Sequence, residues 1–185
     1  LQHVETKDQP LVLDVGCGAF GQSRRLGRAG AKVVAIDVHD YSSELTEDDG
    51  SISFICTDVR RLPEESLVPV VDDVLFQRSL HYLDYQSAQR VLTFLYAHSR
   101  DTLFISVSGM DSDIADYHPL RSESIKNRFT TLNSEGQEKF HIRTPLCLYR
   151  EQELRSLLEH CGWQIEKIWV SAFQNIKAVC THRDS

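Results

Sequence analysis

The stretch LVLDVGCGAFG at residues 11–21, followed by KVVAID at 32–37, restricts this chain to few folds. An apolar run with one acid inside it ends in three closely spaced glycines. After a short helical stretch, a second apolar run ends on a carboxylate. Gly16 and Gly18 leave bare backbone where a Cβ would collide with an approaching ligand. A helix starting at Gly21 points its unpaired N–H groups at that ligand. Asp37 stands 21 residues after Gly16, placed to accept hydrogen bonds from a ribose diol. The rest of the chain then reads as wall or lid for whatever the turn receives.

A length of 185 residues gives one domain, 1–185, with a full core, and is too short for two ordinary ones. Composition is that of a soluble globular protein, 41% hydrophobic and 25% charged. The formal net charge of -7 argues against a nucleic-acid backbone or an anionic membrane as the main partner. No apolar run approaches the length that spans a bilayer, and no signal peptide is visible. The five cysteines (Cys17, Cys56, Cys147, Cys161, Cys180) are scattered without a C-x-x-C pair. Neither a disulfide framework nor a zinc site is expected, and a reducing cytoplasm is the simplest setting.

Taken in order, residues 11–15 read as a buried parallel strand and 22–29 as a short helix stopped by Gly30. The basic residues of that helix, Arg24, Arg25 and Arg28, read as a solvated face. A second strand covers 32–36, an irregular polar crossover follows, and a third strand covers 51–56. A weak helix is expected at 63–67 and a fourth strand at 73–77. Ala88, Val91, Leu92 and Leu95 fall at i, i+3, i+4, i+7, one apolar helix face. A fifth strand lies at 103–107. Leu154, Leu157, Leu158 and Cys161 repeat the helical spacing, and strands at 163–170 and 176–181 should form a hairpin. Such alternation predicts a doubly wound, mostly parallel seven-stranded α/β sheet with both faces covered and an antiparallel C-terminal hairpin. Ligands in such sheets sit beyond the carboxyl ends of the strands. Polar groups follow four consecutive strands there: the glycines, Asp37, Asp58, and residues 77–81.

Gly16-x-Gly18-x-x-Gly21 also matches the dinucleotide fingerprint, so a nicotinamide enzyme is a competing reading. Asp14, two residues before the first glycine, argues against it, since a carboxylate there repels a pyrophosphate and suits an ammonium or sulfonium. The chain also lacks room for a separate substrate domain.

The run LDVGCG at 13–18, the acid Asp37, the Thr57-Asp58 pair and the terminal hairpin resemble the Rossmann-type (class I) S-adenosylmethionine-dependent methyltransferases. The resemblance extends from about Leu11 to Thr181 and identifies the cofactor better than the acceptor. It implies S-adenosyl-L-methionine as cofactor and S-adenosyl-L-homocysteine as product. Asp14, Gly16 and Gly18 would line the methionine end, with Cys17 between them, and Asp37 would hold the ribose hydroxyls, with Val38 beside it. Asp58 would accept from the adenine amino group next to the Val59 backbone, and the Gln77 backbone would face the methionine amine. Many family members carry a third glycine where this chain has Phe20, with Gly21 one place later. The plainer roles are a helix cap for Asp37, an N-cap for Asp58, and a small turn residue for Cys17.

Methyl transfer needs two reactants held in line and, for some acceptors, removal of a proton. The resemblance implies that the segment 77–82 lies beside the methyl group, making His81 a candidate base or positioning group and Arg78 a candidate for binding an anionic acceptor. Their competing roles are a hydrogen bond to the following helix and a surface ion pair. The long segment 109–148 reads as a substrate lid, with a short helix at 124–132 and a short strand at 139–142. Tyr149 is a third catalytic candidate, and Asp113, Tyr117, His118, Arg128, His141 and Arg143 are further polar contacts. Six acids against five bases leave that segment without a field for a phosphate backbone. His39, His118 and His141 lack metal-ligand spacing, so no metal site is expected.

The leading expectation is methyl transfer to a small molecule. RNA or protein methylation is disfavoured by the acidic charge and the lack of an aromatic-basic stripe. A cofactor-binding regulatory subunit without turnover is the alternative from another class, marked by a stable complex with another protein.

Overall fold

The structure, a computed structural model, describes residues 2–65 and 67–182. Among them seven strands form one sheet: β1 (Leu11–Val15), β2 (Lys32–Asp37), β3 (Ile52–Cys56), β4 (Asp73–Gln77), β5 (Leu103–Ser108), β6 (Gln164–Val170) and β7 (Asn175–Thr181). Their spatial order is β3-β2-β1-β4-β5-β7-β6. Neighbours from β3 to β5 pair parallel, and β7 runs antiparallel between β5 and β6. This is the predicted sheet, and its order reverses between β1 and β4, the switch point at which sheets of this topology take their ligands.

The helices are α1 (Gln2–Glu5), α2 (Gly21–Arg28), α3 (Leu62–Glu65), α4 (Tyr85–Ala97), α5 (Ser134–Phe140) and α6 (Glu151–His160). The side chains of Leu13 and Val15 project to one face of the sheet, while Val12 and Asp14 project to the other. The first face forms the main core with Val34, Ile36, Val74 and Phe76, under the buried stripes of α4 and α6. Asp84 caps α4 by accepting from the Ser87 amide at 3.0 Å. Trp163 ties the two helices together, its Nε1 donating to the Leu92 carbonyl at 3.2 Å. On the second face, Val12, Val33, Ala35 and Leu75 pack under Phe20 and Leu26. Farther along that face Trp169, Lys177 and Val179 remain part-exposed, so the predicted covering is complete on one face only.

Four local expectations change. The helix at 63–67 is a single turn, Leu62–Glu65, and residue 66 lies outside the described residues. Arg24 is not simply solvated: its Nε donates to both Asp49 oxygens at 3.0 and 3.2 Å, and its Nη2 to the Glu44 carbonyl at 2.6 Å. It thereby ties α2 to the irregular crossover. Residues 124–132 form only a 3-10 turn, Ile125–Asn127, because Thr130 pairs with Leu146 and Arg128 turns inward. The strand expected at 139–142 is replaced by the end of α5. Asn133 caps that helix, accepting from the Gly136 amide at 2.8 Å, and His141 closes it in a left-handed conformation.

Candidate active site

Four strand ends converge beside the switch point. The glycine turn after β1 is held by its own backbone, the amides of Gly16 and Cys17 donating to the Ile36 carbonyl at 2.8 and 3.0 Å. Gly16 (φ +71) and Gly18 (φ +53) are left-handed. A Cβ on Gly16 would strike the Ser79 side chain at 2.5 Å, whereas one on Gly18 would meet nothing within 4 Å. One glycine therefore admits the chain after β4, and the other faces open space.

Phe20 accounts for the departure from the family's glycine pattern. Its backbone is itself left-handed (φ 64), and its wholly buried ring packs edge-on against Phe54 at 5.2 Å. A left-handed L-residue costs about 1–2 kcal/mol. Burial of the aromatic ring offsets that strain.

Asp14 is 3% exposed and points towards α2, where the Ser23 hydroxyl donates to it at 2.6 Å. Burial, more than the neighbouring Asp37 charge, pushes its pKa up to about 6, and the Ser23 hydrogen bond opposes the rise. Asp37 accepts from the amides of Gly18 and His39, each at 3.0 Å. Val38 next to it is 59% exposed. The Cys17 thiol is pushed up to about 12, chiefly by burial and then by the Asp14 and Asp37 charges. It is a turn residue without thiolate chemistry.

Asp58 follows β3 and does cap a turn, accepting from the Arg60 amide at 3.0 Å. It is also gripped by the Arg60 side chain: Nε lies 2.9 Å from both oxygens, and Nη2 contacts Oδ2. This ion pair holds the Asp58 carboxyl below its usual range. Val59 is half-buried against the main core, and Gln77 is exposed.

After β4, Arg78 is exposed with a left-handed backbone (φ 55), its amide donating to the Ser106 carbonyl at 2.9 Å. Ser79 donates to the Val15 carbonyl at 2.9 Å, pinning this loop to the end of β1. His81 is only 3% exposed, and its Nδ1 has no hydrogen-bond partner among the described residues. Burial, assisted by the Arg78 charge, takes its pKa down to about 3. The imidazole is thus neutral throughout the physiological range, and the expectation of a base titrating near neutral pH is corrected. No hydrogen bond joins its ring to the following helix among the described residues.

Tyr149 is wholly buried in the main core, and its hydroxyl also lacks a partner there. The extended stretch 146–149 explains this placement. Leu146 and Leu148 enter a small separate core with Met110, Ala115 and Leu132, while Cys147 and Tyr149 enter the main one. Arg128 is also fully buried, its guanidinium donating to Glu153 at 2.7 and 2.8 Å and to the Leu148 carbonyl at 2.8 Å. His118 is buried, with Nε2 on the Leu146 carbonyl at 3.2 Å. Tyr117 is half-buried under Lys139, whereas Asp113, His141 and Arg143 are exposed.

Sequence reasoning missed Ser23, Ser79 and Arg60. Ser23 and Arg60 had a signal, one facing back from the third position of a helix and the other two residues beyond an acid. Ser79 had none, because its partner is a carbonyl on another strand. A group of possible metal-ligating residues, His3, Asp73 and Asp101, lies at the opposite end of the sheet. Lys7 sits within it, 2.8 Å from Asp73 and 2.6 Å from Asp101.

The donor set fits a cationic nucleoside: three carboxylates at successive strand ends around an open glycine turn, one of them buried behind it. Residues 12–101 match the family model described as a methyltransferase domain. No curated protein matches the chain in sequence. Among solved structures, it is similar to an S-adenosylmethionine-dependent methyltransferase from Methanosarcina mazei (16% identity, 98% of this chain and 96% of that one, TM-score 0.75). A second is the 1,6-didemethyltoxoflavin-N1-methyltransferase of Burkholderia thailandensis, solved with 1,6-didemethyltoxoflavin and S-adenosylhomocysteine (17%, 98% and 75%, 0.73). A third is the magnesium protoporphyrin IX methyltransferase of Synechocystis PCC 6803, solved with S-adenosylhomocysteine (17%, 94% and 74%, 0.66). With that match laid over this sheet order and this strand-end site, the chain carries a methyltransferase domain over residues 12–101 and shares its fold with S-adenosylmethionine-dependent methyltransferases of known structure.

Proposed function

We propose that this enzyme methylates a small-molecule acceptor held between the strand-end crevice and the segment 109–148, which acts as its lid. The observation that carries the reading is the crown of Asp14, Asp37 and Asp58 around the glycine turn, which suits a positively charged nucleoside and repels a pyrophosphate. When bound, the cofactor supplies a methyl group already activated on a sulfonium. Asp37 would hold the ribose hydroxyls, with exposed Val38 offering apolar surface beside it. Asp58 would accept from the adenine amine by sharing lone pairs now engaged by Arg60. Asp14, Gly16, Cys17 and Gly18 would shape the methionine end, with the backbones of Gln77 and Val59 facing the amine and the base.

The protein's part in catalysis is then positioning. Ser79 and the notch at Gly16 fix the loop after β4, so that Arg78 and His81 stand on a rigid base. His81, neutral and buried, serves as wall and hydrogen-bond acceptor in place of a titrating base. Tyr149 and Arg128 act from within the fold, anchoring the lid to α6. The lid's own small core supports this role, since it gives a segment between β5 and α6 an internal structure. The Burkholderia and Synechocystis proteins are named for small-molecule acceptors, which favours the same acceptor class.

Labelled S-adenosylmethionine, incubated with the protein and separately with a metabolite extract, total RNA and a protein extract, tests the reading. Label is expected in the small-molecule fraction, and label in RNA or protein alone would overturn it.

A further inference from the structure

The two outer strands of the sheet are finished differently. β6 closes one side with Glu166 and Lys167 on it and a bulge between Ile165 and Lys167, features that keep an edge from pairing with another chain. β3 closes the other side as Ile52-Ser-Phe-Ile-Cys56, with no charge, no proline and no shift in its register against β2. Ser53 and Cys56 on it are exposed.

The hydrogen bonds to β2 define which groups this edge leaves free. The Ser51 carbonyl accepts from the Val33 amide and the Thr57 amide donates to the Asp37 carbonyl, both at 2.8 Å. Residues 51, 53, 55 and 57 therefore bond to β2. The N–H and C=O groups of Ile52, Phe54 and Cys56 point outward, and none has a hydrogen-bond partner among the described residues.

The strand is complementary to itself. Laid antiparallel about Phe54, it sets Ile52 opposite Cys56 of a second copy and Phe54 opposite Phe54 of that copy. Each such pair exchanges two hydrogen bonds, so every outward N–H and C=O of both copies is used. Charge selects the same direction. Glu44, Glu47, Asp48 and Asp49 precede the strand without a base among them, and Arg60 and Arg61 follow it. Of those acids only Asp49 forms an ion pair among the described residues, with Arg24. Arg60 and Arg61 hold Asp58 and Glu65 yet keep half or more of their side chains exposed. An antiparallel partner brings each acidic end beside the other copy's arginines, whereas a parallel one sets acid against acid. The antiparallel pairing also closes after two copies.

We propose that the β3 edge is a dimer interface, at which two copies of this chain join their β3 strands antiparallel about Phe54 into one continuous sheet.

Sedimentation equilibrium from micromolar to millimolar protein tests it, and a reversible monomer–dimer equilibrium is expected. Cys56→Pro removes an outward N–H and no bond to β2, so it should keep the circular dichroism of the unaltered chain and weaken the dimer by about tenfold or more. Ile52→Cys gives a second reading that does not depend on that proline. In this register its Cα lies about 5.5 Å from that of Cys56 in the other copy, within disulfide range. Oxidation with copper phenanthroline should link position 52 of one copy to Cys56 of the other, as located by mass spectrometry. A monomer at millimolar concentration would overturn the proposal and leave the edge to another protein's strand. A folded Cys56→Pro variant that dimerises undiminished, or absence of the 52–56 link, would overturn it as well.

Discussion

The backbone N–H of Gly18 donates to Asp37 Oδ2 across 3.0 Å, so the carboxylate ending β2 also fixes the glycine turn ending β1. One side chain thus shapes the crevice and offers it a hydrogen-bond acceptor. Asp37→Ala removes both contributions. Cofactor affinity is expected to fall by about 1–3 kcal/mol, the range for a charged hydrogen bond. Titration calorimetry with S-adenosylhomocysteine measures it, and an unchanged affinity would place the ribose elsewhere.

The grip of Arg60 on Asp58 leads to the opposite sign. Arg60→Gln leaves the carboxylate ionised but with free lone pairs. The variant is expected to bind S-adenosylhomocysteine several-fold more tightly, while Asp58→Ala binds it more weakly. Weaker binding in both variants would mean that Arg60 itself contacts the ligand.

Asp14 and His81 give stability opposite slopes with pH. A carboxyl raised to about 6 binds more protons in the folded protein, so its contribution is complete below the unfolded value near 3.8 and is lost as pH rises through about 6. An imidazole lowered to about 3 binds fewer protons when folded, so its contribution is complete above 6.5 and is lost as pH falls towards 3. Asp14→Asn should therefore be more stable than the unaltered protein at pH ~7.5, with the gain vanishing near pH ~4. His81→Asn should flatten the acid limb between about pH 6 and 4. Urea unfolding across that range checks both slopes.

Arg128 anchors the segment 109–148 from inside the core, its side chain fully buried against Glu153. Arg128→Met leaves Glu153 without its bidentate partner and frees the Leu148 carbonyl. Breaking such a pair costs about 3–5 kcal/mol. A melting temperature within error of the unaltered protein would show that the anchor carries no such weight.

The sheet was legible because short continuous apolar runs are local signals, and they located β1 to β5 and the hairpin to within a residue or two. The crown acids were legible for the same reason, since topology alone brings strand ends together. What the sequence hid was partnership. Only the spacing of Arg60, two residues beyond Asp58, hints that the carboxylate oxygens are taken. The apolar pair Phe140 and Ile142 imitated a strand, but the cap at Asn133 decides for a helix. Tyr149 read as a catalytic candidate because the alternation of 146–149 between two cores appears only in three dimensions. His81 suggested a titrating base until its burial was known.

The central claim is that the carboxylate-ringed turn receives a sulfonium nucleoside and excludes a dinucleotide. Thermal unfolding with S-adenosylhomocysteine or NAD at millimolar concentration tests it most directly. The first is predicted to raise the melting temperature and the second to leave it unchanged. A rise with NAD and none with S-adenosylhomocysteine would contradict the assignment.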